Sequence, residues 1–193
     1  MSKKKYPVRI PNFAAGIRSQ SSRTGAKRNW WSAKWLSKLE GMGIGARLGR
    51  GRSYAMSGQV TELKIAGPKV EATIVGSRKD PYKVRVDFVA PEGESRKRIL
   101  EKIASEPMMV SRLAVDDMPL EIEMIFREEN CHLFPGGKLA PGKYDVTTSC
   151  NCPDWANPCK HAIAVLILLG EEIERRPLTL LELRGMYLQD MLR

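Results

Sequence analysis

No run of apolar residues in this chain exceeds eight, the stretch from Ala162 to Leu169. A membrane-spanning helix needs about 18, so none is expected. Histidine is scarce, with two in 193 residues, and cysteine numbers four. That density excludes a secreted scaffold held together by disulfides. The basic start Met1-Ser-Lys-Lys-Lys is followed by no apolar stretch. A secretory signal is therefore not expected, and a cytoplasmic protein, with or without nucleoid association, is. Hydrophobic residues still make up 42% of the chain, which excludes full disorder. A chain this long buries about 70% of its unfolded surface. One domain, or two small ones sharing a core, follows from the length.

Acidic side chains are missing altogether before Glu40. Residues 1–52 hold 13 Lys or Arg and that one acid, a local charge of +12 within a total of +10. The remainder carries 19 basic and 21 acidic residues, or −2. The chain thus reads as a basic arm on a near-neutral body. Such an arm is an electrostatic footprint for a polyanion, although a solvated, solubilising tail has the same composition.

Three of the four cysteines and one histidine fall within twelve residues, Cys150-Asn-Cys152-Pro-Asp-Trp-Ala-Asn-Pro-Cys159-Lys-His161. Uniform placement would put about 0.25 cysteine in such a window, so the clustering is a signal. Zinc favours four soft or borderline ligands in a tetrahedron, and three thiolates with one imidazole form a closed set. Cys150, Cys152, Cys159 and His161 are accordingly the expected ligands of one structural Zn2+. Pro153 and Pro158 restrict the intervening loop and lower the entropy lost on binding. A disulfide would strand one of the three cysteines and leave His161 without a role. Four protein ligands leave no open position for a catalytic water. No other nucleophile has a free histidine beside it, so an enzyme is not expected. Cys131 and His132 are too few for a second site. Cys131 is expected as a small buried apolar residue and His132 as a surface or locally bonded one.

Cys-x-Cys, six residues, then Cys-x-His resembles the SWIM zinc finger, with all four ligand positions filled. The similarity extends over roughly residues 29–190. Trp30-Trp31-x-x-x-Trp35, Leu39-Glu40, Arg50-Gly-Arg-x-Tyr54-Ala, Gly58-Gln-Val, Val75-Gly-Ser, Pro81-Tyr-x-Val and Leu183-Arg-Gly look like a group of small bacterial and archaeal SWIM proteins. The resemblance implies a finger serving DNA binding or protein–protein contact. It further implies work beside a helicase-like Snf-family ATPase, a recombination protein or a transposase.

The rest of the chain predicts an α+β fold in three parts: a flexible basic arm over 1–28, an α+β region over 29–130, and a zinc module over 131–193. Asn29 can cap a helix running to Glu40 and stopped by Gly41. Trp31, Trp35 and Leu39 then share one face, as core rather than as a base-stacking surface, while Trp30 lies off the stripe. Gly41 to Arg52 reads as a Gly/Arg loop. Its Gly41-x-Gly43-x-x-Ala46 formally fits a dinucleotide fingerprint but follows a helix and not a strand. Lys27, Arg28, Arg47, Arg50 and Arg52 are the candidate phosphate contacts, with an ordinary basic turn as the equal alternative for the last three.

Residues 59–90 predict a three-stranded meander whose last strand buries Tyr82, Val84, Val86 and Phe88. A helix is expected over 95–105, a second near 109–115, and an ambiguous segment from Pro119 to Glu129. Gly137 to Tyr144 narrowly misses a P-loop, because Tyr144 stands where magnesium needs Ser or Thr. After His161 the helix is apolar on almost every side and then acidic, so it belongs in the core and reads no bases. Thr179 and Glu182 suggest a capping box for one last helix to Leu192, packed as a hairpin on its predecessor. The leading expectation is a non-enzymatic zinc protein that associates with nucleic acid, DNA above RNA, through its basic N-terminal third. The alternative is a protein–protein adaptor that contacts no nucleic acid.

Overall fold

A computed structural model describes residues 10–20, 29–140 and 143–192. Among them are two short helices, α1 (Trp30–Glu40) and α2 (Ala46–Met56), then the strands β1 (Val60–Ala66), β2 (Lys69–Ile74) and β3 (Tyr82–Phe88). Three helices follow: α3 (Gly93–Ala104), α4 (Pro107–Ala114) and α5 (Glu121–Glu128). A small hairpin of β4 (Lys138–Ala140) and β5 (Lys143–Tyr144) leads to β6 (Val146–Cys150). The long helix α6 (Lys160–Arg175) and the short α7 (Leu178–Glu182) and α8 (Leu188–Met191) complete the α+β fold. No described helix is long and apolar enough to cross a membrane.

The main sheet is antiparallel in the order β1-β2-β3-β6. The alternation seen in the sequence of β3 is real. Tyr82, Val84, Val86 and Phe88 are buried, and the first three sit opposite Ile74, Ala72 and Val70 of β2. β6 joins the free edge of β3 with Cys150 opposite Val84 and Val146 opposite Phe88. The strand that delivers the first ligand therefore belongs to the same sheet, and to the same core, as the meander.

α6 is the central pillar. Ala162 to Leu169 are all buried, and the helix touches β1, β3, β6, α1, α2 and α7. Burial on every side explains why that stretch carries no polar stripe. α1 docks on it through Trp31, Trp35 and Leu39, which are buried as their spacing requires. The Trp35 Nε1 donates to the Leu166 carbonyl at 3.0 Å, and the Trp31 Nε1 donates to the Ile173 carbonyl at 3.1 Å. The second bond has a sequence cause. The Ile173 carbonyl would normally accept from residue 177, but Pro177 has no N–H to give. Asn29 stands at the N-cap position, yet its side chain makes no capping bond.

Three expectations need correction. The Gly/Arg loop is not a loop beyond Gly45: residues 46–56 form α2, whose Gly49 and Gly51 are poor helix formers. Tertiary contact overrides propensity here. A Cβ on Gly51 would lie 2.4 Å from Ile163 Cγ2 and 3.1 Å from the Lys160 carbonyl, so only glycine lets α2 approach the start of α6. Next, the single helix expected over 179–192 is two. Gly185 takes a φ of 69° between α7 and α8, and Thr179 lies buried inside α7 rather than capping it. Finally, part of the expected flexible arm is tied to the body. Gly16 and Ile17 donate to the Gly58 and Val60 carbonyls, and Ser19 donates to the Ala55 carbonyl.

Gly51→Ala tests the helix contact by sign. Intrinsic propensity alone would make alanine stabilising by about 1 kcal/mol. The close approach should reverse that and cost about 1–3 kcal/mol. A thermal melt of the variant is expected several degrees below wild type. A rise in Tm would show that α2 and α6 are not so tightly apposed.

Candidate metal centre

Four donor atoms converge where β6 runs out and α6 begins. Cys150 is the last residue of β6, Cys152 lies in the loop, Cys159 occupies the N-cap position of α6, and His161 sits in its first turn. A strand end and a helix start, both fixed by the core, thus hold three of the four and leave only Cys152 on loop backbone. All four donors lie within 4.8 Å of one another. A tetrahedron with zinc–sulfur distances of about 2.3 Å and a zinc–nitrogen distance of about 2.05 Å has sulfur–nitrogen edges of about 3.6 Å. The His161 Nδ1 lies 3.7 Å from the Cys150 sulfur and 3.9 Å from that of Cys159. Spacing and chemistry both fit one structural zinc held by Cys150, Cys152, Cys159 and His161.

The imidazole is held by rings rather than by a carboxylate. Tyr82 stacks on it at 4.3 Å and 22°, and Tyr54 meets it edge-on at 5.1 Å. Its Nε2 is buried and has no hydrogen-bond partner. Nδ1 faces the sulfurs, so Nδ1 is the nitrogen placed to bind metal. Without metal, the three thiols are unequal. The hydrogen bond from Cys150, opposed by burial, holds Cys159 down at about 4. The same bond to Cys159, together with burial, pushes the Cys150 thiol up, and burial raises Cys152. A bound zinc replaces this shared proton network and takes all three as thiolates.

Residues 143–170 match the SWIM zinc finger. An uncharacterized protein of Mycobacterium tuberculosis is 34% identical over 186 residues. The match covers 96% of this chain and 65% of that protein, so the chain spans about two-thirds of its relative. No solved structure matches the chain.

The SWIM-like segment is anchored outside itself by a pair that sequence reading missed. Asp145, just before β6, is 2% exposed, and Arg184, after α7, is 1% exposed. The Arg184 Nη2 donates to the Asp145 Oδ2 at 2.6 Å. Its Nη1 donates to the Val89 and Asp145 carbonyls and its Nε to the Leu133 carbonyl. The second carboxylate oxygen of Asp145 accepts from the Gly136 N–H. The guanidinium also lies over the Phe88 ring at 5.5 Å. Burial pulls the Arg184 pKa down, against the opposing charge of Asp145. Arginine starts so high that the group stays protonated.

Of the candidate phosphate contacts, Arg47, Arg50 and Arg52 all lie on α2, with Arg50 and Arg52 exposed and Arg47 half-buried. Arg52 approaches Glu40 at 3.8 Å. Lys27 and Arg28 lie outside the described residues. The structure brings Arg47, but neither of the other two, to the zinc loop: its guanidinium lies over the Trp155 ring at 5.7 Å. Trp155 is a second residue that sequence reading passed over. Of the near P-loop, the described residues include the paired strands β4 and β5, with Tyr144 exposed. Cys131 is half-buried rather than buried, with its thiol 3.4 Å from the Glu129 carbonyl and its pKa raised by burial. His132 is exposed, as expected.

Proposed function

We propose that this protein is a non-enzymatic accessory protein that associates with nucleic acid through its basic N-terminal third, steadied by the zinc-held core. The observation that carries this reading is the charge division. Residues 1–52 supply +12, and α2, the part of that region bearing three arginines, packs against the first turn of α6 beside the metal ligands. The four ligands close the zinc's coordination shell, which supports a structural role for the metal rather than a catalytic one. A helicase-like or recombination ATPase is the partner class that the SWIM resemblance suggests.

Salt titration tests the reading. If about six phosphates are engaged, log K should fall with log salt at a slope near −5 on duplex and near −4 on single-stranded DNA. Replacing Arg50 and Arg52 by alanine should flatten the slope by up to about 2, with zinc content unchanged. No measurable binding at about 50 mM salt would sink the proposal. The adaptor reading, in which zinc only shapes a protein contact, draws on a specific feature elsewhere. Met108, Val115, Leu120 and Met124 are exposed on and around α4 and α5. Such a contact would cover these side chains.

A further inference from the structure

Trp155 is 91% exposed, the most exposed of the large hydrophobic residues among those described, and it stands on the loop between the second and third zinc ligands. The other three tryptophans are packed. Trp31 and Trp35 are core, and Trp30 meets Phe134 edge-on while its indole N–H donates to the Met118 carbonyl. A lone exposed apolar side chain is ordinary on a protein surface, so only what lies around this indole says whether something covers it.

Its surroundings indicate what. Three cations lie over three rings around the centre: Arg47 over Trp155 at 5.7 Å, Lys160 over Tyr54 at 4.9 Å and Arg78 over Tyr82 at 5.7 Å. Tyr54 and Tyr82 are the two rings that grip His161. Among the described residues, no carboxylate pairs with Arg47, Arg50, Arg78 or Lys160. Unneutralised cations interleaved with an exposed ring are the arrangement that holds a sugar–phosphate chain while a base lies flat on the ring. In a duplex the base faces are already stacked on each other, so an indole gains a base only from an unpaired strand.

We infer that the zinc loop is a single-strand stacking site: an unpaired base lies on Trp155, and Arg47 and Lys160 hold the flanking phosphates. The inference rests on the proposed association with nucleic acid and narrows its substrate to single strands. A competing role for the cations is to offset the −1 charge of zinc with three thiolates. That role needs no exposed ring.

The test uses the full chain, a 20-nucleotide oligo(dT) and a blunt-ended duplex, by anisotropy over one shared series of salt concentrations. Trp155→Ala should weaken oligo(dT) binding by about fivefold to a hundredfold, the range for one stacked base. Duplex affinity, the oligo(dT) salt slope, zinc content and Tm should stay at wild-type values, because the side chain is exposed. Trp155→Phe should recover most of the loss. Oligo(dT) should quench the wild-type tryptophan fluorescence and leave that of Trp155→Phe unchanged. Unaltered oligo(dT) affinity in Trp155→Ala, an equal loss on duplex, or a phenylalanine variant as weak as alanine would overturn the stacking site while leaving nucleic-acid association intact. Wild-type protein that binds neither oligonucleotide would remove the underlying function as well.

Discussion

Replacing Cys159 by serine is expected to strip the protein of zinc and to lower its Tm by at least about 6 °C. Cys159 is buried at the N-cap of α6, and its sulfur contributes one of four bonds to the ion. Zinc binding of this kind is worth about 10–16 kcal/mol in isolated finger peptides, as much as the net stability of a whole domain. Losing even a third of that is about 3–5 kcal/mol, and each kcal/mol moves Tm by about 2–4 °C at this chain length. The damage should spread because α6 supports α1, α2 and the sheet together. Elemental analysis and circular-dichroism melts check both parts, and a strong chelator added to wild type should reproduce them. Cys131→Ser is the control. It lies outside the quartet and should keep one zinc per chain with a Tm close to wild type. A Cys159→Ser protein that melts like wild type would mean that the metal does not hold the fold.

The second large effect belongs to Arg184. Arg184→Met should cost about 3–5 kcal/mol, because it leaves the Asp145 carboxylate buried with no counter-charge. At least three backbone carbonyl contacts go with it: those to Leu133, Val89 and Asp145. The informative experiment is the cycle with Asp145→Leu. Each single replacement strands a buried polar partner, whereas the double replacement strands far less, so the double variant should be more stable than either single one. Urea unfolding of the four proteins measures the coupling. Strict additivity would mean that the pair is solvated and that its geometry is not maintained in solution.

What could be read from the sequence follows from how local the determining interactions are. The zinc ligands lie within twelve residues, and no other arrangement uses all four, so composition and spacing were enough. The Trp31-Trp35-Leu39 stripe and the alternation of Tyr82 to Phe88 were legible for the same reason: each pattern repeats within one element. α2 was not legible. Gly49, Gly51 and three arginines argue against a helix, and the contact that overrules them is with Ile163, more than a hundred residues away. The ion pair was hidden similarly. An arginine in Leu183-Arg184-Gly185 reads as a surface residue until Asp145, 39 positions earlier, is brought to it. The C-terminal helix failed at a particular place. Thr179 and Glu182 have capping-box spacing, but Pro177 had already started the turn and Gly185 ended it early. Trp155 left a faint signal that only exposure made clear, a lone aromatic between two metal ligands with alanine as its nearest apolar companion.

The placement of β6 bears on how the chain is made. Its partner β3 ends at Phe88, and β6 begins only at Val146. On the ribosome the meander can pair its own strands as they emerge, since both of its turns are short. The buried face of those strands nevertheless stays bare until α6 has been synthesised. At about 5–20 residues per second, that leaves several seconds of exposure for Val84, Val86 and the indoles of α1. A released chain truncated before Lys160, which lacks α6, should accordingly be a chaperone client, and the full chain should not.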